Sequence, residues 1–228
     1  MNFHRFYDTW SDQLRQLLHQ LSQVPSPPTT DEHRHQLQQL VQESMSHYDE
    51  YYRAKSTATK QDVMAFFSAA SWTTALERSL QWIGGWRPTT AYHLIYTECS
   101  ILFETNVLRL LQGLSTGDLG DLSSAQFSRV SEMQIETVQK ENHLMEELCD
   151  WQDDASYLVD TAHGNSRRNM DKLAEILERA DQLRLSTIRS LVELLSPQQA
   201  AQFLVAAAEL YFGIRGWGIQ QDIRRASS

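Results

Sequence analysis

Glycine and proline are scarce in this chain, nine and five among 228 residues, which leaves little of the turn chemistry that a sheet-rich fold requires and favours long helices. Cysteine is scarcer still. Cys99 and Cys149 lie far apart and form no C-x-x-C pair, so two reduced thiols and no disulfide framework are expected. No apolar run approaches the roughly 20 residues that span a bilayer, and the N-terminus lacks the apolar core of a signal peptide. A soluble, intracellular protein with no membrane role is the expectation. Positive charge is in deficit: 20 Lys and Arg stand against 29 Asp and Glu, a formal net charge of −9. Such a chain is poorly placed to neutralise phosphates, so direct DNA binding is not expected, with Arg224 and Arg225 the late basic pair.

Enzyme signatures are missing as well: there is no G-x-S-x-G, P-loop, dinucleotide fingerprint or H-E-x-x-H. No catalytic residue and no metal ligand is assigned. His33 and His35, two apart, point to different faces of a helix. His143 shares a face with Glu146 and Glu147, but a carboxylate metal bundle needs Glu-x-x-His pairs on two helices, and here the order is reversed and no second copy exists. Asp150, Asp153 and Asp154 read as a hydrated acidic face.

What is present is helical periodicity, with 41% hydrophobic residues to build a core for one large domain or two small ones. In residues 1–24, Phe3, Phe6, Tyr7, Trp10, Leu14, Leu17, Leu18 and Leu21 fall on one face and Arg5, Asp8, Asp12, Gln13, Arg15, Gln16 and Gln20 on the other. That stripe suits packing on the domain core first, since amphipathic helices of globular proteins usually do only this; the functional alternative is a helix that offers Phe6, Tyr7 and Trp10 to a partner's groove, or a homodimer surface. A proline-rich linker, 25–30, ends the helix, and residues 31–222 form the body, with 223–228 as a tail.

Within the body, Thr30 or Asp31 caps a helix carrying Leu37, Leu40, Val41, Met45, Tyr48 and Tyr51 or Tyr52, and residues 55–60 read as a polar loop or frayed end. Ala91 to Gln112 reads as a buried helix, through Leu94, Ile95, Ile101, Leu102, Leu108 and Leu111, that Gly113 ends. After Ser123 a long helix runs through Phe127, Val130, Gln134, Val138, Glu141, Met145, Leu148, Trp151, Ala155 and Leu158, its coiled-coil-like seam broken at Gln134 and Glu141. A break at His163-Gly164-Asn165-Ser166 precedes a helix from Met170 to Leu194, and Ser196-Pro197 starts the last one. The expected fold is all-α, a single-domain bundle of long antiparallel helices.

The chain is organised around Ser71 to Tyr96. Thr74 and Glu77 stand at capping-box spacing, Leu76, Leu80 and Ile83 mark a helical face, and Trp72, Trp82 and Trp86 surround it. Gly84, Gly85 and Pro88 stop the helix, with Arg87 at the corner, and Thr89 or Thr90 starts the next. The expectation is a positive φ at Gly85.

The string Trp72, Leu76, Glu77, Trp82, Ile83, Gly84, Gly85, Arg87, Pro88 resembles the hallmark of the plant DELAY OF GERMINATION domain, which is also the C-terminal half of the TGA bZIP transcription factors. The LSSAQ step at Leu122 to Gln126 and the run LSPQQAAQFLVAAAEL are similar to the same family, so the resemblance covers essentially the whole chain. It implies a non-enzymatic regulator in abscisic-acid-linked seed dormancy or in transcription, acting in nucleus and cytoplasm. In some members the aromatic and acidic segment matching Phe6 to Trp10 is implicated in holding type 2C protein phosphatases. Related TGA domains imply a second role, a sensor whose lipophilic, fatty-acyl-type ligand would sit among Trp72, Trp82, Trp86 and His93. They also associate, which implies a homodimer. Some members are linked to haem through two histidines on the last helix; Tyr211 and Arg215 stand at those places here, so no cofactor is expected.

Overall fold

Side-chain caps set where the helices begin. In the computed structural model, which describes residues 2–67, 72–156 and 166–227, Asn2 Oδ1 accepts the Arg5 N–H at the head of α1 (Phe3–Gln23), and the Thr30 hydroxyl accepts the His33 N–H at the head of α2 (Asp31–Thr59). Two short helices follow, α3 (Val63–Phe67) and α4 (Ala75–Ser79), and then the long α5 (Thr89–Leu111), α6 (Ser124–Ser156), α7 (Ser166–Leu194) and α8 (Pro197–Ala226). Full capping boxes open α4, through Thr74 and Glu77, and α8, through Ser196 and Gln199 with Pro197 in the first turn. The fold is all-α, with no strand among the described residues. None of the described helices is long and apolar enough to cross a membrane. The expected break at 163–165, Ser71 of the central stretch and Leu158 of the long seam lie outside the described residues.

α1 lies on α2 and α8, α2 also meets α7, α6 pairs with α7, and α5 is held by a 3-10 turn (Leu119–Asp121), α6 and α8. The α1 stripe is therefore buried within the chain, through Phe3, Tyr7, Trp10, Leu14 and Leu21. Two apolar clusters result, and the long helices run through both. On α6, Met133 belongs to one and Leu144 to the other; on α7, Ile188 and Leu183 divide in the same way. Buried polar side chains occupy the steps between: Thr137 and Glu141 on α6, Arg184 and Thr187 on α7, and Ser44, His47 and Lys55 on α2. The bundle thus has two apolar ends and a polar waist, whose groups must find partners or cost the fold stability.

The structure corrects several expectations. Residues 55–59 are the last turns of α2 and Lys55 is 3% exposed, because its ammonium has a buried carboxylate to meet. The second half of α5 is covered on one face alone: the 3-10 turn packs at Leu102 and Asp118 reaches Asn106, while Ile101, Leu108 and Leu111 are 52%, 73% and 78% exposed. Gly113 does hold a left-handed φ of 74° just after it. The α6 seam is Val130, Met133, Thr137, Glu141, Leu144, Leu148 and Trp151, with Phe127 and Met145 turned outward. Glu141 does not break that seam but is sealed in it at 0% exposure. Residues 223–226 continue α8.

Candidate functional site

The residues between α4 and α5 form a tight loop. The Trp82 N–H donates to the Gly85 carbonyl at 2.7 Å and the Gly85 N–H returns to the Trp82 carbonyl at 3.2 Å, while Ile83 and Gly84 take left-handed φ values of 42° and 67°. Gly84 meets two demands, since a Cβ there would also lie 2.9 Å from the Phe66 carbonyl oxygen. Gly85 does not hold the expected positive φ. Its need for glycine is space, because a Cβ would stand 2.8 Å from Arg184 Cζ.

Arg184, 1% exposed, gathers the loop's carbonyls. Its Nε donates to Trp86 O at 2.6 Å, one terminal nitrogen donates to Trp82 O and to Ile83 O (2.8 Å), and the other meets Asp181 Oδ1 at 2.6 Å, with the guanidinium 5.3 Å over the Trp82 ring. Lys55 Nζ completes the set, donating to Gly84 O at 2.7 Å and Asp181 Oδ1 at 2.8 Å; burial pushes its pKa down and Asp181 opposes that. On the far side, Glu141 Oε1 accepts the Thr89 N–H at 2.7 Å and Oε2 accepts from Arg87 Nε at 2.7 Å, so a carboxylate from α6 satisfies the first turn of α5. Pro88 is fully buried between these anchors.

The inner wall of this loop faces a cavity of about 260 Å³. Helices α1, α2, α5, α7 and α8 close the other sides, with Leu80 and Leu210, both exposed, at its mouth. Five tyrosines line it: Tyr7, Tyr48, Tyr51, Tyr52 and Tyr211. Tyr52 accepts the Trp86 indole N–H at 3.0 Å, and Tyr211 bridges Tyr7 at 2.7 Å and Ser11 at 2.9 Å. Burial pushes all five phenols above the ordinary tyrosine value, so they stay protonated.

Of the residues expected to hold a ligand, Trp72 and Trp86 line the cavity, whereas Trp82 and His93 do not. Trp82 is turned under Arg184 into the apolar cluster with α7, and His93 is on the exposed face of α5. The residues expected to meet a partner are placed differently from one another. Tyr7 and Trp10 are 3% and 5% exposed and belong to the cavity wall and core; Phe6 is half-buried. Trp10 also donates its indole N–H to the His47 carbonyl at 3.0 Å, His47 Nε2 donates to the Trp10 carbonyl at 2.9 Å, and the two rings stack at 5.0 Å. Haem does not fit the positions that the resemblance suggests. The Tyr211 hydroxyl is engaged by Tyr7 and Ser11, and Arg215 is drawn to Tyr7, the Trp72 carbonyl (3.0 Å) and Glu77 (3.5 Å). His143 pairs with Glu147 at 2.9 Å, and the described residues hold no group of three or more His, Cys, Asp or Glu fit for a metal ion.

Sequence reasoning missed Lys55, Asp181, Arg184 and Glu141. The signal for α7 was an Asp181-x-x-Arg184 pair flanked by Ala180 and Leu183 on the apolar stripe, where a charge is tolerated only if paired.

Comparison with known proteins bears on the same segment. A sequence model for a family described as seed dormancy control, DOG1, matches residues 12–97, a span that runs from α1 through the Trp82–Pro88 loop into α5. Protein DOG1-like 3 of Arabidopsis thaliana is 25% identical over 241 aligned residues, 96% of this chain and 84% of that protein. Protein DOG1-like 4 of the same plant is 28% identical over 222 residues, 95% and 91% of the two chains. Transcription factor TGA3, also from Arabidopsis thaliana, is 26% identical over 190 residues, 79% of this chain and only 44% of the factor, so this chain spans less than half of that relative's length. These likenesses support a regulatory role, and together they show the resemblance of this chain to the DELAY OF GERMINATION family and to the TGA transcription factors.

Proposed function

We propose that this chain is a non-enzymatic regulatory interaction protein of abscisic-acid-linked dormancy control or transcription. It would act in nucleus and cytoplasm, with a type 2C protein phosphatase or another regulatory protein as partner. The observation that carries the reading is the state of α1: it is a separate N-terminal helix whose outer face keeps Asp8 and Asp12 exposed beside the half-buried Phe6, while Tyr7 and Trp10 are docked on α2 and α8. Phe6 meets a partner with α1 in place; Tyr7 and Trp10 reach one only when α1 lifts from α2 and α8. Native mass spectrometry with a type 2C phosphatase tests this. The expected result is a one-to-one complex that Phe6→Ala weakens by roughly tenfold in a chain that stays folded, together with faster hydrogen exchange in α1 on binding. Absence of any complex, or a complex indifferent to Phe6 and to α1, would overturn it.

A second reading is favoured by the cavity: a sensor for a lipophilic small ligand. Its support is about 260 Å³ of space walled by aromatic rings, among them Tyr7 and Trp10 of the same α1. Haem is no part of either reading.

A further inference from the structure

We propose that Ser227, on the closing turn of α8, is a phosphorylation site for a basophilic serine/threonine kinase that recognises Arg224 and Arg225 and takes its phosphoryl group from ATP. In the step, Ser227 Oγ attacks the γ-phosphorus. The Oγ–P bond forms as the bond from that phosphorus to the β-phosphate oxygen breaks; the hydroxyl proton passes to the kinase's catalytic carboxylate, and ADP leaves.

The sequence narrows the choice of acceptor and the fold completes it. Basophilic kinases read an arginine three residues ahead of the acceptor through an acidic cleft, a charge pattern that sets their specificity. Five hydroxyl residues of this chain have arginine at that place: Ser56, Thr90, Thr187, Ser227 and Ser228. Thr187 is 3% exposed and donates to the Leu183 carbonyl at 2.8 Å. Ser56 lies inside α2, bonded to Glu178 at 3.0 Å, and Thr90 sits in the first turn of α5 against the cavity. A kinase holds its substrate extended, so each of these three would require a packed helix to unfold. Ser227 is exposed and has a second arginine, Arg225, two residues ahead; Ser228 lies outside the described residues.

The end of α8 is suited to being drawn out. Asp222 Oδ2 accepts the Ala75 N–H at 3.1 Å and ties α8 to the head of α4. Beyond it, Ile223, Arg224, Arg225, Ala226 and Ser227 are all exposed, so opening this turn costs little apolar burial. The turn is closed by Ser227 itself, whose hydroxyl donates to the Ile223 carbonyl at 2.9 Å and whose N–H reaches the Arg224 carbonyl at 3.3 Å. In a chain of net charge −9, these five residues carry two positive charges and no negative one, which complements an acidic cleft.

The modification has a structural consequence. Once esterified, Ser227 Oγ has no proton to give the Ile223 carbonyl, and the phosphate puts about two negative charges at the negative end of the helix dipole. The last turn therefore opens, and the charge of the segment falls from +2 to about zero.

The test incubates the full folded chain with magnesium ATP and the catalytic subunit of cyclic-AMP-dependent protein kinase as the basophilic probe, and maps phosphate by fragmentation mass spectrometry. The expected result is one phosphate per chain, on Ser227. Arg224→Gln, which leaves the acceptor in place, slows transfer by roughly tenfold or more, and Ser227→Ala blocks it. Hydrogen exchange at residues 223–227 speeds up in the modified chain. No transfer, phosphate on Ser56, Thr90, Thr187 or Ser228 in place of Ser227, or a rate indifferent to Arg224→Gln would overturn the site. Unchanged exchange at 223–227 after modification would overturn the opening of the turn.

Discussion

Gly85→Ala is the most discriminating perturbation of the loop, because two explanations for that glycine predict different partners for its effect. If the residue were needed for its own backbone freedom, the cost of alanine would not depend on any side chain. In the structure the obstacle is Arg184, whose Cζ lies 2.8 Å from the position of the new Cβ, well inside the 3.4 Å at which ordinary contact begins. Moving the guanidinium by that deficit stretches its bonds to Trp86 O, Ile83 O and Asp181, which now measure 2.6, 2.8 and 2.6 Å. Hydrogen bonds to charged groups contribute about 1.5–3 kcal/mol each, and overpacking alone costs about 1–3 kcal/mol. We therefore expect Gly85→Ala to cost about 2–3 kcal/mol, a large share of a total stability of about 5–15 kcal/mol. Arg184→Leu leaves the loop carbonyls and Asp181 short of a donor and should cost about 3–5 kcal/mol. The two costs should not add: in a chain already carrying Arg184→Leu, where the guanidinium no longer blocks the new methyl group, Gly85→Ala should cost less than about 0.5 kcal/mol. Guanidinium unfolding followed by far-UV circular dichroism and tryptophan fluorescence gives all four corners of the cycle. Additive costs would refute the reasoning and return Gly85 to a backbone role.

His47 makes the docking of α1 sensitive to acid. Burial holds its pKa below the ordinary value of 6.5, against weaker opposing pulls from the Trp10 carbonyl and Glu50, so the unfolded chain binds a proton before the folded one does. Stability from this group is present above pH 6.5 and lost as pH falls from there to the depressed folded value; His47→Gln, which keeps a donor for the Trp10 carbonyl, should flatten that limb, and an unchanged slope would sink the assignment. The two thiols should separate by reactivity. Cys149 is exposed, whereas partial burial pushes Cys99 up to about 11, so at pH 8 a disulfide reagent should modify one thiol quickly and the second markedly more slowly, the difference vanishing on unfolding. Two equally fast thiols would contradict the packing of α5.

The parts of the fold that could be read from the sequence are those fixed by neighbours a few residues away. The α1 stripe, the Thr74–Glu77 and Ser196–Gln199 capping boxes and the left-handed Gly113 are local devices, and each is where the spacing puts it. What escaped was fixed by distant partners. Lys55 meets Asp181 across 126 positions, and Glu141 meets Thr89 across 52, so the lysine read as part of a polar loop and the glutamate as a break in a seam. The exposed residues of α5 have the reverse cause: Ile101, Leu108 and Leu111 are as apolar as any core residue, but the turn that covers this half of the helix packs at Leu102 and Asn106 and leaves them outside. Of the expected ligand residues, Trp72 and Trp86 line the cavity and Trp82 does not, because a ring's direction depends on the φ reversal at Ile83 and Gly84, which composition does not encode.

The two proposed activities are not independent, because they use the same side chains. Tyr7 and Trp10 wall the cavity only while α1 is docked, and they reach a partner only when it is not. A ligand that needs those walls therefore stabilises the docked helix by the usual linkage, about 2.7 kcal/mol at a hundredfold excess over its dissociation constant. A partner that grips Tyr7 and Trp10 draws on the opposite state, so each must weaken the other by the same factor. A partner that uses only Phe6 and the exposed acidic face escapes this opposition, since neither Phe6 nor Asp8 nor Asp12 lines the cavity. The sign of coupling between cavity occupant and partner thus reports which face of α1 the partner takes: antagonism places it on the aromatic stripe, and indifference places it on the outside.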